Sequence, residues 1–167
     1  SRCQFVRLNP WPDEQVQALL LSRGVALPRA KELAQLAAGR PGLALAAQDD
    51  QRYWDTNILA GKTFFAVKRL ADIPSASMAL KDARDSADLL LDLIEQRASI
   101  ALRASLISPP SAPASDIWQG ASRASLTTLL ESVFAARKLK ASNVSWQAIA
   151  DQLLFTITKE IYQCQWS

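Results

Sequence analysis

Gly61-Lys62-Thr63 is a group of residues whose types and spacing could bind a nucleotide. In phosphate-binding loops, a lysine and a hydroxyl directly after a glycine bind the phosphates and the magnesium ion of a nucleotide. Such a loop needs an earlier glycine, five residues before Gly61, where this sequence has Thr56. The residues before Gly61 also predict a helix, whereas a phosphate-binding loop follows a strand. We therefore do not expect a nucleotide site here.

Acid, base and thiol chemistry have few candidate residues. The chain contains no histidine, which excludes the Ser/His/Asp triad, the Cys/His dyad and nearly every catalytic zinc site. Cys3 and Cys164 stand near opposite ends without metal-ligand spacing, so we expect two reduced thiols. Asp82, Asp85 and Asp88 alternate with basic residues at helical spacing. This pattern predicts a solvated, salt-bridged helix face instead of general acid–base catalysis.

The composition predicts a helical protein that buries a core. Of the 167 residues, 28 are alanine, 24 are leucine and only five are glycine. This length suits one or two compact units. The net charge of +3 is spread along the chain without a basic cluster, so direct nucleic-acid binding is not expected. The apolar runs are much shorter than the roughly 18 residues that a membrane span needs, and no signal peptide opens the chain. We therefore expect a soluble, intracellular protein.

Three short helices are predicted near the amino terminus, after residues 5–8, which alternate like the end of a strand. Pro12 can start the first helix, which ends at Gly24. The second begins at Pro28 and ends before Gly39, which is placed as a carboxy-terminal cap. Its predicted core residues are Ala30, Leu33, Ala34 and Ala37. The third runs from Leu43 to about Gln48.

The acidic and polar run at 48–51 is the predicted hinge, which divides the chain into residues 1–49 and 50–167. The second part predicts a bundle of about five helices, so the whole chain is expected to be all-α. It is predicted to begin with two helices broken near Gly61, followed by a loop at 72–75. One long helix from Met78 to about Ile107 comes next, and then an exposed connection at 108–115. A helix ending at Lys140 and a last helix capped by Asn143 complete the predicted order. The last helix should bury Trp146, Ile149, Leu153, Ile157 and Ile161 along one side.

The amino-terminal part resembles a known family. Ser1-Arg2-Cys3 directly precedes the predicted strand, and Gly39-Arg40-Pro41-Gly42 opens the third helix. In this order the chain resembles the bacterial clamp-loader subunits of DNA polymerase III, which belong to the AAA+ superfamily. In that family a Ser-Arg-Cys motif closes the nucleotide-binding domain, a three-helix lid follows, and a helical collar ends the subunit. The resemblance extends along the whole chain in order and length, and residues 1–50 also match by motif.

One position indicates which kind of subunit the chain resembles. The ATP-binding subunits place an arginine, called sensor 2, three residues after the glycine that opens the third lid helix. Gly42 stands there in this sequence, and Arg40 is two residues out of register. The resemblance thus implies a delta-prime subunit, which does not hydrolyse ATP itself and for which we expect no cofactor or metal. It further implies that Arg2, with Ser1 and Cys3, acts in trans as an arginine finger on the nucleotide of a neighbouring subunit.

The resemblance also implies the partners of the protein. These partners are the gamma/tau and delta subunits, which the collar would contact. The sliding clamp and primed DNA would be reached only in the full assembly. The resemblance implies no membrane contact and a cytoplasmic location. Trp118 and Trp166 are candidate interface anchors, although each could equally belong to a core. Two alternatives stay open: a fragment of an ATP-hydrolysing gamma/tau subunit, and an unrelated helical adaptor in which Ser1-Arg2-Cys3 is a coincidence.

Overall fold

The computed structural model describes residues 9–37, 39–107 and 117–162. These residues form eight α-helices with short 3₁₀ and π-helical turns and contain no strand, so the all-α prediction is confirmed. The predicted strand at 5–8 and the predicted connection at 108–115 lie outside the described residues. The boundary between two compact units falls between Tyr53 and Trp54, four residues after the predicted boundary.

The first unit contains three helices: α1 (Asp13–Ser22), α2 (Leu27–Ala37) and α3 (Pro41–Gln48). Each helix packs against the other two. Their shared core consists of fully buried aliphatic side chains, among them Val16, Leu20, Leu33 and Ala44. The four residues that the spacing placed in the core of α2 are all buried, as predicted. Helical periodicity therefore identifies this bundle well.

Two glycines end the first two helices. Gly24 follows α1 with φ +83°, and Gly39 follows α2 with φ +80°. A side chain with a Cβ atom is strained in this left-handed region, which is why glycine is preferred just after a helix. The capping role predicted for Gly39 is therefore confirmed.

The second unit is built from longer helices. They are α4 (Gln51–Lys62), whose first turn contains the unit boundary, α5 (Ile73–Leu80), α6 (Ala87–Ile107), α7 (Arg123–Ala141) and α8 (Trp146–Ile157), which continues into a π-helical turn at Thr158–Tyr162. α6 packs on α7, and α8 packs on both α5 and α7. The five residues predicted along one side of α8 and its extension are all buried.

The start of α7 shows how local sequence sets these elements. The Ser122 side chain accepts a hydrogen bond from the Ser125 backbone N–H at 3.0 Å, which satisfies a donor in the first helical turn. At the other end, Lys138 and Lys140 stand where the helix dipole favours positive charge. The sequence thus specifies both ends of α7.

The prediction of one helix from Met78 to Ile107 is wrong. α5 ends at Leu80, and a turn at residues 81–83 with a 3₁₀ turn at 84–86 leads into α6. In an unbroken helix the Leu80 carbonyl would accept from residue 84. Here it accepts a bond from the Ala83 N–H at 3.0 Å and another from the Trp146 indole Nε1 at 3.0 Å. A side chain of α8 thus replaces the helical donor, and no local signal marks this break.

Residues 63–75 also differ from the prediction. In place of the helix expected after Gly61, residues 63–66 form a turn and 67–69 have no helical structure, and the expected loop at 72–75 contains the start of α5. Pro74 is tolerated because it lies in the first turn of α5, where the missing N–H removes no helical hydrogen bond. The carbonyl of Phe65 accepts a bond from the Tyr162 hydroxyl at 3.1 Å. A tertiary contact therefore holds this turn in place.

Asn143 does not cap α8, contrary to prediction. It has φ +59°, the left-handed conformation that asparagine tolerates better than most residues, in the turn that follows α7. Ser145 directly precedes α8, with no side-chain capping bond. Asn143 therefore ends one helix instead of starting the next.

Replacing Trp146 by phenylalanine is expected to lower the free energy of unfolding by about 1 kcal/mol, because the indole donor to the Leu80 carbonyl is lost in a buried place. Chemical denaturation measures this value. Trp11→Phe is the control, since Trp11 is 45% exposed and its replacement should change the unfolding free energy by less than about 0.5 kcal/mol. Equal effects of the two variants would contradict a role for the indole in the break.

Candidate functional site

The motif on which the functional prediction rests lies outside the described residues. This holds for Ser1, Arg2 and Cys3, and also for Cys164 and Trp166. The described part contains the turn that opens α3, which the sequence used to distinguish the kinds of subunit. Its geometry bears on whether the first unit could read a nucleotide.

Arg40 is folded back onto the end of α2. Its backbone N–H donates to the Ala37 carbonyl at 3.0 Å, and its side-chain Nε donates to the same oxygen at 3.1 Å. Its own carbonyl accepts from the Leu43 N–H at 3.0 Å, so Arg40 directly precedes the first turn of α3. The Nε of Arg40 is therefore bonded within its own unit, on an exposed side chain.

Gly42 lies exposed in the first turn of α3. A Cβ atom added there would meet nothing within 4 Å, so the backbone has room for a side chain that the sequence does not provide. An arginine at this position would extend freely from the start of the helix. Residue 42 thus has no side chain, and the Nε of Arg40 is bonded to the end of α2.

Gly61-Lys62-Thr63 does not form a phosphate-binding loop. Gly61 and Lys62 are the last two residues of α4. The Thr63 backbone N–H and hydroxyl both donate to the Leu59 carbonyl, at 3.0 and 2.7 Å. A phosphate-binding loop instead presents its backbone N–H groups and hydroxyl to the ligand. The exclusion made from the sequence agrees with this geometry.

Ion pairs link the facing sides of α6 and α7. The Arg137 Nη2 atom lies 2.7 Å from Asp92 Oδ1 and 2.7 Å from Glu95 Oε2. The Lys140 Nζ atom lies 2.6 Å from Asp88 Oδ2. These pairs are partly exposed, so each stabilises the fold by little more than about 1 kcal/mol. Of the predicted acidic face, Asp88 is on α6 and ion-paired to α7, whereas Asp82 and Asp85 lie in the break before α6.

A cleft of about 460 Å³ lies beside these pairs. Arg84, Asp85, Asp88, Arg137, Lys140 and Trp146 line it, with two small apolar residues. Arg137 and Lys140 are bound to carboxylates, and the Trp146 indole is bound to Leu80. Most polar groups of the cleft are therefore engaged in holding the bundle together.

Two described side chains have a shifted pKa. Burial, with the charge of Glu32, raises the pKa of the Tyr53 phenol, which therefore stays protonated at physiological pH. Partial burial acts to lower the pKa of Arg137, but its hydrogen bonds to Asp92 and Glu95 and their charges outweigh this and raise it. Both residues hold their protons at neutral pH, which does not suit general acid–base catalysis.

Trp118 is a core residue and not an interface anchor. Its side chain is completely buried, and its ring packs edge-on against Phe65 with centroids 5.5 Å apart. The Arg97 guanidinium lies 4.4 Å from the Phe65 ring centroid and 5.4 Å from that of Trp118. The members of this three-residue cluster come from three separate segments, so no local sequence pattern predicts it.

Other apolar side chains are exposed in the second unit. Four of them are Met78 (77%), Leu106 (63%), Phe134 (57%) and Phe155 (51%). They lie on α5, α6, α7 and α8 respectively. Large exposed apolar side chains are candidate contacts for a protein partner.

Metal-binding clusters and membrane-spanning helices are both absent from the described residues. These residues contain no cluster of three or more His, Cys, Asp or Glu that could hold a metal ion. Within the same ranges, no helix is both long and apolar enough to cross a membrane.

Comparison of the chain with protein-family models, with curated proteins and with solved structures finds no match.

Proposed function

We propose that the chain is the lid and collar region of a delta-prime subunit of the bacterial DNA polymerase III clamp loader. The observation that carries the proposal is the order of Ser1-Arg2-Cys3, a three-helix unit whose third helix opens with Gly39-Arg40-Pro41-Gly42, and a second helical unit. Residues 1–49 would be the lid and residues 50–167 the collar. The chain would hold the loader together and would not itself be an enzyme.

The opening of α3 supports delta-prime over gamma/tau. A subunit that hydrolyses its own ATP needs a cation at the sensor 2 position. Gly42 has no side chain, and Arg40 is bound to the Ala37 carbonyl. This arrangement fits a subunit whose chemistry occurs on a neighbour.

The second unit supports the collar role. Its buried face and its ion pairs make a self-contained bundle, while Leu106, Phe134 and Phe155 remain exposed on three helices. A collar needs such apolar side chains to contact the gamma/tau and delta subunits. The sliding clamp and primed DNA would be met only in the full assembly, in the cytoplasm.

Assembly tests this proposal. The full-length protein that contains this chain should co-elute in size-exclusion chromatography with the gamma/tau and delta subunits of the same organism. Phe134→Asp with Phe155→Asp should weaken the complex, because a buried charge without a partner is costly. Leu27→Asp is the control, since Leu27 is 56% exposed in the first unit and should leave assembly intact.

The outcomes separate the alternatives. Failure of the unsubstituted protein to join the complex would contradict the proposal and favour an unrelated adaptor. ATP hydrolysis by the purified full-length protein alone would instead favour a gamma/tau subunit.

A further inference from the structure

Two side chains of α8 close the carboxyl end of α5. The Trp146 indole donates to the Leu80 carbonyl at 3.0 Å, and the Gln147 amide donates to the Ser77 carbonyl at 3.0 Å. In a longer helix these two oxygens would accept from the backbone N–H groups four residues further along the chain. The Ala83 N–H also donates to the Leu80 carbonyl, so both lone pairs of that oxygen are in use. A distant helix thus sets the end of α5.

The residues between α5 and α6 are themselves suited to a helix. The sequence from Ser75 to Ser108 contains neither glycine nor proline. Lys81, Ala83 and Arg84 favour helices. Lys81 and Arg84 each stand four residues before an aspartate, a spacing at which opposite charges stabilise a helix. The local sequence therefore favours one helix from α5 through α6, and the bonds from α8 oppose it.

α5 and α6 point in opposite directions. Lys140, near the end of α7, pairs with Asp88 at the start of α6, and Arg123, at the start of α7, donates to the Ser105 carbonyl near the end of α6. α6 and α7 are therefore antiparallel. α8 follows α7 after residues 142–145 and packs on it, so α8 runs in the direction of α6. α5 packs along α8, and the end of α5 lies at the start of α8. A continuous helix would carry α5 away from the α8 of its own chain.

We infer, beyond the proposed function, that the protein has a second, dimeric form in which two copies exchange α5. In this dimer, residues 73–107 of each copy form one helix, and α5 packs on the α8 of the other copy. Exchange of an identical element restores the packing of α5 on α8 between the chains. Residues 81–86 gain helical hydrogen bonds, which replace the bond between Trp146 and Leu80. The partner that fits the broken helix is a second copy of this chain.

The oligomeric state tests this inference. The full-length protein that contains this chain is refolded at high concentration, with its native cysteines replaced by serine so that no disulfide can join two copies. Size-exclusion chromatography with light scattering should find a monomer and a dimer that interconvert slowly, because exchange requires α5 to leave α8. A protein that stays entirely monomeric would overturn the inference.

Variants in the break should change the amount of dimer in opposite directions. Asp82→Ala with Ser86→Ala should raise the ratio of dimer to monomer by roughly 10-fold or more at equal concentration, because alanine favours the continuous helix in both copies. Ala83→Gly should lower the ratio by a similar factor, because glycine disfavours it. Equal ratios in the two variants would contradict a helix in residues 81–86.

Trp146→Phe tests the role of α8. The bond from the indole to the Leu80 carbonyl favours the break, so its loss should raise the ratio of dimer to monomer by roughly 5-fold or more. Trp118→Phe is the matched control, since Trp118 is also buried but packs on Phe65 instead of α5, and it should leave the ratio unchanged. A lower ratio for Trp146→Phe, or the same ratio in both variants, would overturn this role.

A distance measurement distinguishes exchange from an ordinary surface dimer. Spin labels at Met78→Cys and Arg103→Cys, both exposed positions, should lie about 38 Å apart in the dimer, at about 1.5 Å per residue of a continuous helix. In the monomer the distance should be shorter, because α5 runs back along α8. Dilution of labelled chains with unlabelled ones restricts the signal to pairs within one chain. A dimer that keeps the monomer distance would overturn the inference.

Discussion

If the chain is a clamp-loader subunit as proposed, replacement of Arg2 by alanine in the assembled loader should lower clamp- and DNA-stimulated ATP turnover sharply without preventing assembly. A guanidinium supplied in trans neutralises the charge that develops on the γ-phosphate, and such arginines contribute roughly 10³-fold or more to turnover. Other sites in the ring lack this substitution and dilute the loss measured for the whole complex. Steady-state phosphate release, with size-exclusion chromatography of the same sample, measures both quantities.

Two control variants sharpen this prediction. Arg2→Lys keeps the positive charge but loses the planar fork of donors, so it should recover little of the turnover. Arg40→Ala should leave turnover close to the wild-type level, because the Arg40 side chain is bound to the Ala37 carbonyl of its own unit. Normal turnover by an assembled Arg2→Ala loader would refute the finger.

Replacement of Trp118 by alanine is expected to reduce the free energy of unfolding by about 3 to 5 kcal/mol. The ring is fully buried and packs against both Phe65 and the Arg97 guanidinium, so its removal leaves a large cavity and breaks both contacts. For a chain of this size the melting temperature should fall by about 10 °C or more. Calorimetry and urea denaturation measure the two values.

Phe134→Ala is the control for Trp118. Phe134 is 57% exposed, so its truncation should change the unfolding free energy by less than about 1 kcal/mol. Were Trp118 an interface anchor, its truncation would weaken assembly and leave the stability of the isolated chain unchanged. That result would contradict the buried position of Trp118.

Regular helices with one apolar face could be predicted from the sequence. In α2 and α8 the buried residues recur every three or four positions, and glycine or proline stands at the borders of α2. Periodicity and punctuation are both local signals, so no knowledge of the partner helix was required. The same signals gave the three-helix order of the first unit.

Elements that depend on distant residues could not be predicted. The break after Leu80 contains neither glycine nor proline, and the donor that takes the Leu80 carbonyl comes from Trp146. Phe64, Phe65 and Val67 have helical spacing but lie in a turn that packs on Trp118 and Tyr162. In both places a tertiary contact overrides the local preference.

Only part of the candidate site could be predicted from the sequence. Glycine at residue 42, where a sensor 2 arginine is expected, is visible in the sequence itself. The sequence does not show that the Arg40 side chain binds the end of α2, or that Gly39 lies close to Pro10 and Trp11. Both features depend on how the chain turns between α2 and α3. The assignment of Arg2 as the finger stays a prediction.

The bond between Trp146 and Leu80 also bears on how the chain folds during synthesis. The two residues are 66 positions apart, so a ribosome that adds about 5 to 20 residues per second needs roughly 3 to 13 s to deliver the partner of α5. α6 and α7 pair with each other and can form a hairpin before then. α5 therefore cannot dock on α8 before then, and a ribosome that stalls before residue 146 would leave α5 without its main packing partner.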